Sequence, residues 1–216
     1  MKQLVIFDLD GTLLNTIADL GNAANHALEK AGLPTHPRQA YPRFVGNGVR
    51  KLIERVLPES LRTGEKVESM LDDFKQYYDS HLTDFTEPYP GIPELLQDLA
   101  QRGVRLAVAS NKYQSAVERL VNHFFPGIPW AAIEGQKEGI PVKPDPSIVF
   151  EILTKSPASK ADVLYVGDSG VDMETARRAC VESCGVTWGF RPLDELIDNH
   201  ADHVAGTTLQ LLRLII

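Results

Sequence analysis

Short apolar runs rich in β-branched residues recur along the chain at 4–7, 104–109, 130–133, 163–166 and 186–188. A run that is apolar at every position, not only at alternate ones, is expected of a strand covered on both faces, as in a parallel sheet flanked by helices. Between these runs, 113–124, 146–154 and 171–180 carry apolar residues at helical spacing, so the chain reads as successive strand-helix-strand crossovers. The pattern predicts an α/β fold.

Residues 16–85 break that rhythm. Ile17, Leu20, Ala24, Ala27, Leu28 and Ala31 form one helical stripe ended by Gly32; Val49, Leu52, Ile53 and Val56 form a second; Met70, Leu71, Phe74, Tyr77 and Tyr78 form a third. No strand pattern interrupts them. The stretch Pro88, Pro90, Gly91, Pro93 then suits a hinge or return loop before the strands resume. The expected division is a core of residues 1–14 and 87–216 with a helical insertion at 15–86. The apolar run 211–216 predicts a docked helix.

Composition narrows the class. Twenty-two Lys and Arg against 29 Asp and Glu give a net charge of −7, which opposes nonspecific attraction to nucleic acid or an anionic membrane. The first apolar run, 4–7, meets Asp8 and is too short and too soon charged for a signal peptide, and no other apolar run approaches membrane-spanning length. These features predict a cytoplasmic protein with no membrane partner. Cys180 and Cys184 are too few for a zinc site and read as reduced thiols.

The candidate chemistry gathers at strand ends. Asp8 and Asp10 directly follow the first run; two carboxylates two residues apart face the same side of an extended backbone, and Gly11 permits the chain to turn sharply away. Ser110 and Asn111 follow the second run, and Asp168 follows the run at 163–166, with Asp172 four residues later. In open α/β sheets ligands bind beyond the carboxyl ends of the strands, so these groups are expected to converge. Taken singly, each has a structural explanation: helix N-cap, first-turn acid or Asx turn. Lys143, in Lys143-Pro144-Asp145-Pro146, is the member that a helix start alone leaves unexplained.

Together these segments, Asp-x-Asp-Gly-Thr at 8–12, Ser-Asn at 110–111, Lys-Pro-Asp-Pro at 143–146 and Gly-Asp-Ser-x-x-Asp at 167–172, resemble the four motifs of the haloacid dehalogenase superfamily, in its phosphatase branch. The resemblance implies a Rossmann-like core whose mouth is closed by a small helical cap. It implies that Asp8 attacks phosphorus, that Asp10 serves as acid and then base, and that Ser110, Asn111 and Lys143 hold phosphate. It also implies Mg²⁺ on Asp8, Asp168 and the Asp10 carbonyl, with Asp172 ordering a metal-bound water. Physical chemistry supports the cation: two unit charges at ~5 Å repel by roughly 3 kcal/mol at an effective dielectric of ~20, and a phosphate among these acids meets several such pairs.

Residues 44–50 and 185–189 narrow the resemblance toward bacterial phosphoglycolate phosphatases. Gly46, Asn47 and Gly48 lie at a predicted helix start, where free amides favour an anion, and Arg50 is a candidate clamp for a substrate carboxylate. The implied partner is a small anionic phosphorylated metabolite. Sugar-phosphate phosphatase, pyrophosphatase and β-phosphoglucomutase share the motifs and stay open, although the mutase usually carries Val where this chain has Thr12. A receiver-like signalling or binding module is disfavoured, because the candidate phosphoacceptor follows the first strand and a long helical stretch comes after it. Monomer and homodimer remain open.

Overall fold

A computed structural model describes residues 1–216, the whole chain. Six strands form one parallel sheet: β1 (Leu4–Phe7), β4 (Arg105–Tyr113), β5 (Trp130–Gln136), β6 (Val163–Gly167), β7 (Glu182–Val186) and β8 (His203–Ala205), in the spatial order β5-β4-β1-β6-β7-β8. β1 sits at the centre because all four of its residues are fully buried; Leu4, Val5, Ile6 and Phe7 pair with both β4 and β6. A strand with no polar position is at home only where both edges are paired and both faces covered.

Two short strands, β2 (Leu14–Asn15) and β3 (Glu87–Pro88), pair antiparallel and form the neck through which the chain leaves the sheet and returns. Between them lie α1 (Ile17–Lys30), α2 (Val49–Val56) and α3 (Gly64–His81), packed on one another. Their stripes are those the sequence predicts: Leu20, Ala24, Leu28, Leu52, Ile53, Val56, Met70 and Phe74 are all buried. Asp19 ties the neck together. Its buried carboxylate accepts hydrogen bonds from the amides of Phe85 and Thr86 and from the Thr86 hydroxyl, so the outgoing helix holds the returning chain. Hydrogen bonds to a charged acceptor contribute about 1.5–3 kcal/mol each, enough to define this junction.

The remaining helices cover the sheet: α4 (Ile92–Gln101), α5 (Gln114–Phe124), α6 (Ser147–Lys155), α7 (Gly170–Ala179), α8 (Leu193–Asp198) and α9 (Thr208–Ile215). The C-terminal run docks as α9, with Leu211 and Ile215 buried. Four details differ from the sequence pattern. α4 begins inside the supposed return loop, at Ile92, because Ile92, Leu95, Leu96 and Leu99 make an apolar face and Pro93 is tolerated in the first turn. The strand expected at 186–188 ends at Val186, since its pairing to β6 and β8 begins earlier, at Glu182 and Cys184. β8 is too short to register as a run. Asp145 does accept from the Ser147 amide, but the helix starts one residue later than Pro146.

Candidate active site

The carboxyl ends of β1, β4 and β6 lie side by side, because the sheet is parallel and these strands are neighbours. Asp8 follows β1 and is nearly buried. Asp168 follows β6, and Asp172 stands in the first turn of α7. One carboxylate oxygen from each of the three comes within 4.8 Å of the others. The chain can bring Asp168 so close only because position 11 is glycine: a Cβ there would lie 2.3 Å from the Asp168 Oδ2 atom, and the residue adopts φ of 90°.

Lys143 holds this cluster together. Its ammonium lies 2.7 Å from Asp172 Oδ1, 2.9 Å from Asp8 Oδ1 and 2.9 Å from the Ala109 carbonyl, to which it donates. Burial disfavours the lysine charge, but Asp172 and Asp8 outweigh it and keep its pKa well above the ordinary value. Asp172 is committed to structure as well: its Oδ2 accepts from both the amide and the hydroxyl of Ser169. Asn111 orders the lysine backbone, accepting from the Lys143 amide at 2.8 Å and donating to its carbonyl at 3.1 Å. Ser110 is buried beside it and accepts from the Lys112 amide.

Burial first, and then the neighbouring acids, raise the Asp8 carboxyl to about 7 and the Asp168 carboxyl well above its usual range. Asp8 Oδ1 is also without a hydrogen bond, since its approach to Lys143 is close but poorly angled. Four carboxylates, Asp8, Asp10, Asp168 and Asp172, face two lysine ammoniums, Lys143 and Lys112. With all four ionised, the surplus of two negative charges equals one divalent cation. An all-oxygen donor set with an unpartnered buried oxygen fits a hard cation, so Asp8 and Asp168, with Asp172 beside them, could hold one.

Asp10 lies outside that cluster by its side chain. Its Oδ1 accepts from the Thr16 hydroxyl at 2.7 Å and sits 3.1 Å from the Lys112 ammonium. Lys112 is a residue that sequence patterning did not single out, although it directly follows Ser110-Asn111 at the end of β4. Its side chain is only 3% exposed, and it donates to the Tyr78 hydroxyl of α3 at 3.0 Å. A lysine buried at the end of an apolar strand was the available signal.

The helices after β2 form the opposite wall. Gly46 and Gly48 line the cleft, and the Gly46 carbonyl accepts from Asn111 at 3.2 Å. Asn47 does not line it, because Arg55 engages its side-chain oxygen at 2.7 Å. Arg50 corrects the expectation of a carboxylate clamp. Val49, Leu52, Ile53 and Val56 set the inward face of α2, and Arg50 projects to the surface, where it pairs with Glu68. The loop after β7 closes the remaining side: the Phe190 amide donates to Asp168, Trp188 donates to the Thr12 carbonyl, and Arg191 donates to the Val45 carbonyl.

Residues 5–186 match the family model described as haloacid dehalogenase-like hydrolase. The chain belongs to that family. This haloacid dehalogenase-like hydrolase is 30% identical over 218 residues to the phosphoglycolate phosphatase of Aquifex aeolicus, an alignment covering 92% of this chain and 98% of that one. It is also 30% identical to the phosphoglycolate phosphatase of Mannheimia succiniciproducens, over 99% and 98% of the two chains. A solved structure from Lactobacillus delbrueckii subsp. bulgaricus, assigned by inference as a phosphoglycolate phosphatase, superposes with a TM-score of 0.94 at 34% identity, covering 100% of this hydrolase and 99% of that chain. No helix of the hydrolase is long and apolar enough to cross a membrane.

Proposed function

We infer that this hydrolase cleaves a small phosphate monoester, phosphoglycolate being the candidate substrate, and that Asp8 is the nucleophile. The observation that carries the reading is the setting of Asp8: a nearly buried carboxylate at the end of the central strand, one oxygen without a hydrogen bond, flanked by Lys143 and Asp168. Mg²⁺, when bound by Asp8, Asp168 and their neighbours, would neutralise the phosphate charge.

In the first step an Asp8 carboxylate oxygen forms a bond to phosphorus as the bond to the ester oxygen breaks, and Asp10 gives its proton to that oxygen. In the second, water attacks the phosphorus of the aspartyl-phosphate and gives a proton to Asp10; the Asp8–phosphorus bond breaks, releasing inorganic phosphate and restoring both acids. Asp10 is poised for this by Thr16, and Lys143, Ser110 and the Asn111 amide would receive the phosphate oxygens. Residues 15–86 act as the cap that excludes water between these steps.

The size of the enclosed space favours a short leaving group. The cavity encloses about 40 Å³, room for a few water-sized groups, and its cap wall is apolar. The names of the relatives, the small cavity and the chain's net charge of −7 together favour a small-metabolite phosphatase. Brief exposure to phosphoglycolate labelled in its phosphoryl group, followed by acid quench, tests the reading. Label is expected on the wild-type chain and absent from Asp8→Asn; equal labelling of both, or no release of phosphate by the wild type, overturns it.

A further inference from the structure

We propose that Lys112, anchored from the cap by Tyr78, binds a carboxylate on the leaving group and so selects phosphorylated hydroxy acids over neutral phosphate esters. This rests on the phosphatase reading and names what the site recognises beyond the phosphate.

The argument is one of available cations. Lys143 donates to Asp172 and to the Ala109 carbonyl and lies 2.9 Å from Asp8, so its remaining proton faces the phosphate end of the site, where the proposed function already uses it. Arg55 is engaged with the Phe44 carbonyl and Asn47, Arg191 with the Val45 carbonyl, and Arg50 with Glu68 outside the cleft. Lys112 is different. Its ammonium has two protein partners, Asp10 at 3.1 Å and the Tyr78 hydroxyl at 3.0 Å, which leaves one proton free in a side chain that lines the cleft.

Its surroundings sharpen the selectivity. Leu20, Val45, Val49, Leu52 and Phe74 form the facing wall, so a carboxylate there leaves water and must find a cation. The Tyr78 ring also lies under the ammonium, 4.7 Å from centroid to Nζ. Because Asp10 is the proposed proton donor to the ester oxygen, a cation 3.1 Å from it stands at the leaving-group end of the substrate, not the phosphate end. A carboxylate one or two carbons from the ester oxygen falls within reach. Tyr78 belongs to α3 and Lys112 to β4, so their hydrogen bond spans cap and core, and recognition is complete only when the cap is closed.

The test compares phosphoglycolate with 2-hydroxyethyl phosphate, which has the same chain length and no carboxylate, in wild type, Lys112→Met and Tyr78→Phe. Wild type is expected to prefer phosphoglycolate. Lys112→Met should lower kcat/KM for phosphoglycolate by about 10- to 100-fold more than it lowers that for 2-hydroxyethyl phosphate, mainly through KM. Tyr78→Phe keeps the ring and the ammonium and should cost phosphoglycolate alone about 3- to 10-fold. Equal losses on both substrates, in either variant, mean that Lys112 acts through Asp10, and the proposal falls. A wild type that hydrolyses both esters without preference overturns the carboxylate site and leaves the phosphatase reading standing; a wild type that hydrolyses neither overturns the phosphatase reading. Should Lys112→Met fail to fold, Tyr78→Phe and the wild-type preference decide the matter.

Discussion

The two walls of the cleft are built by opposite rules. On the sheet side, Asp8, Lys143, Asp168 and Asp172 are buried charges held by one another and by backbone amides, with the unpartnered oxygen on Asp8. On the cap side the lining is Leu20, Val45, Val49, Leu52 and Phe74, with the Tyr78 hydroxyl as its polar contribution. A preorganised charged wall suits a transition state that is the same for every phosphate ester. An apolar wall is indifferent to phosphate and discriminates by size and by what little polarity it contains. On the proposed reading the chemistry falls to the sheet wall, and selectivity to the cap wall together with Lys112 of β4, which Tyr78 reaches from α3.

The substitution that would break this division most strongly is Asp8→Asn, which keeps the side chain's shape but removes the proposed nucleophile. Turnover of every ester should fall by roughly 10⁴-fold or more; residual activity that still discriminates between esters would show that the charged wall is not where bonds break. Asp10→Asn comes next, with an expected loss of about 10²–10⁴-fold that is largest for esters with poor leaving groups, since those need the proton most. A uniform loss across leaving groups would assign Asp10 a purely positional role.

Metal comes third. A chelator should abolish activity and Mg²⁺ restore it, and Mg²⁺ at 100 times its Kd should raise Tm by roughly 5–10 °C in a chain of this size. The effect has a pH sign. Burial raises the metal-free Asp8 carboxyl to about 7. Ionising it therefore costs the folded metal-free protein stability as pH rises from the unfolded value of about 4 through 7. Cation binding needs the ionised form, so the Mg²⁺-dependent rise in Tm should be larger at pH 8 than at pH 6; the reverse order, read by calorimetry, would exclude these acids as the metal site.

The smallest effect belongs to the cap surface. Arg50→Ala removes an exposed ion pair with Glu68, of a kind that contributes about 0–1 kcal/mol, and should shift kcat/KM for phosphoglycolate by less than about 3-fold. A tenfold loss confined to phosphoglycolate would show that α2 turns during catalysis and brings this guanidinium inward.

Much of this architecture is legible in local pattern. The apolar runs at 4–7 and 163–166 are the central strands because nothing else about them tolerates water, and the stripes of α1, α2 and α3 are buried where their spacing predicts. α4 was obscured by Pro88, Pro90, Gly91 and Pro93, since punctuation of that density resembles a loop even where one proline merely opens a helix. The acids and Lys143 were legible as a group, because each follows a strand and parallel strands present their carboxyl ends on one side.

What the sequence by itself determined is therefore the charged wall: crossover topology brings Asp8, Asp168, Asp172 and Lys143 to the same edge, whereas the Asp10 side chain turns to Thr16 and Lys112. What only the tertiary structure decided is the rotation of the cap helices against that edge. α2 spans eight residues, and its apolar face covers the cleft while Arg50 points to solvent. The contact between Tyr78 and Lys112 joins residues 34 positions apart on separate elements. Neither is encoded in a period, because periodicity states which face of a helix is buried but not what that face meets. The meeting depends on how the cap helices pack on one another and on the neck that Asp19 secures.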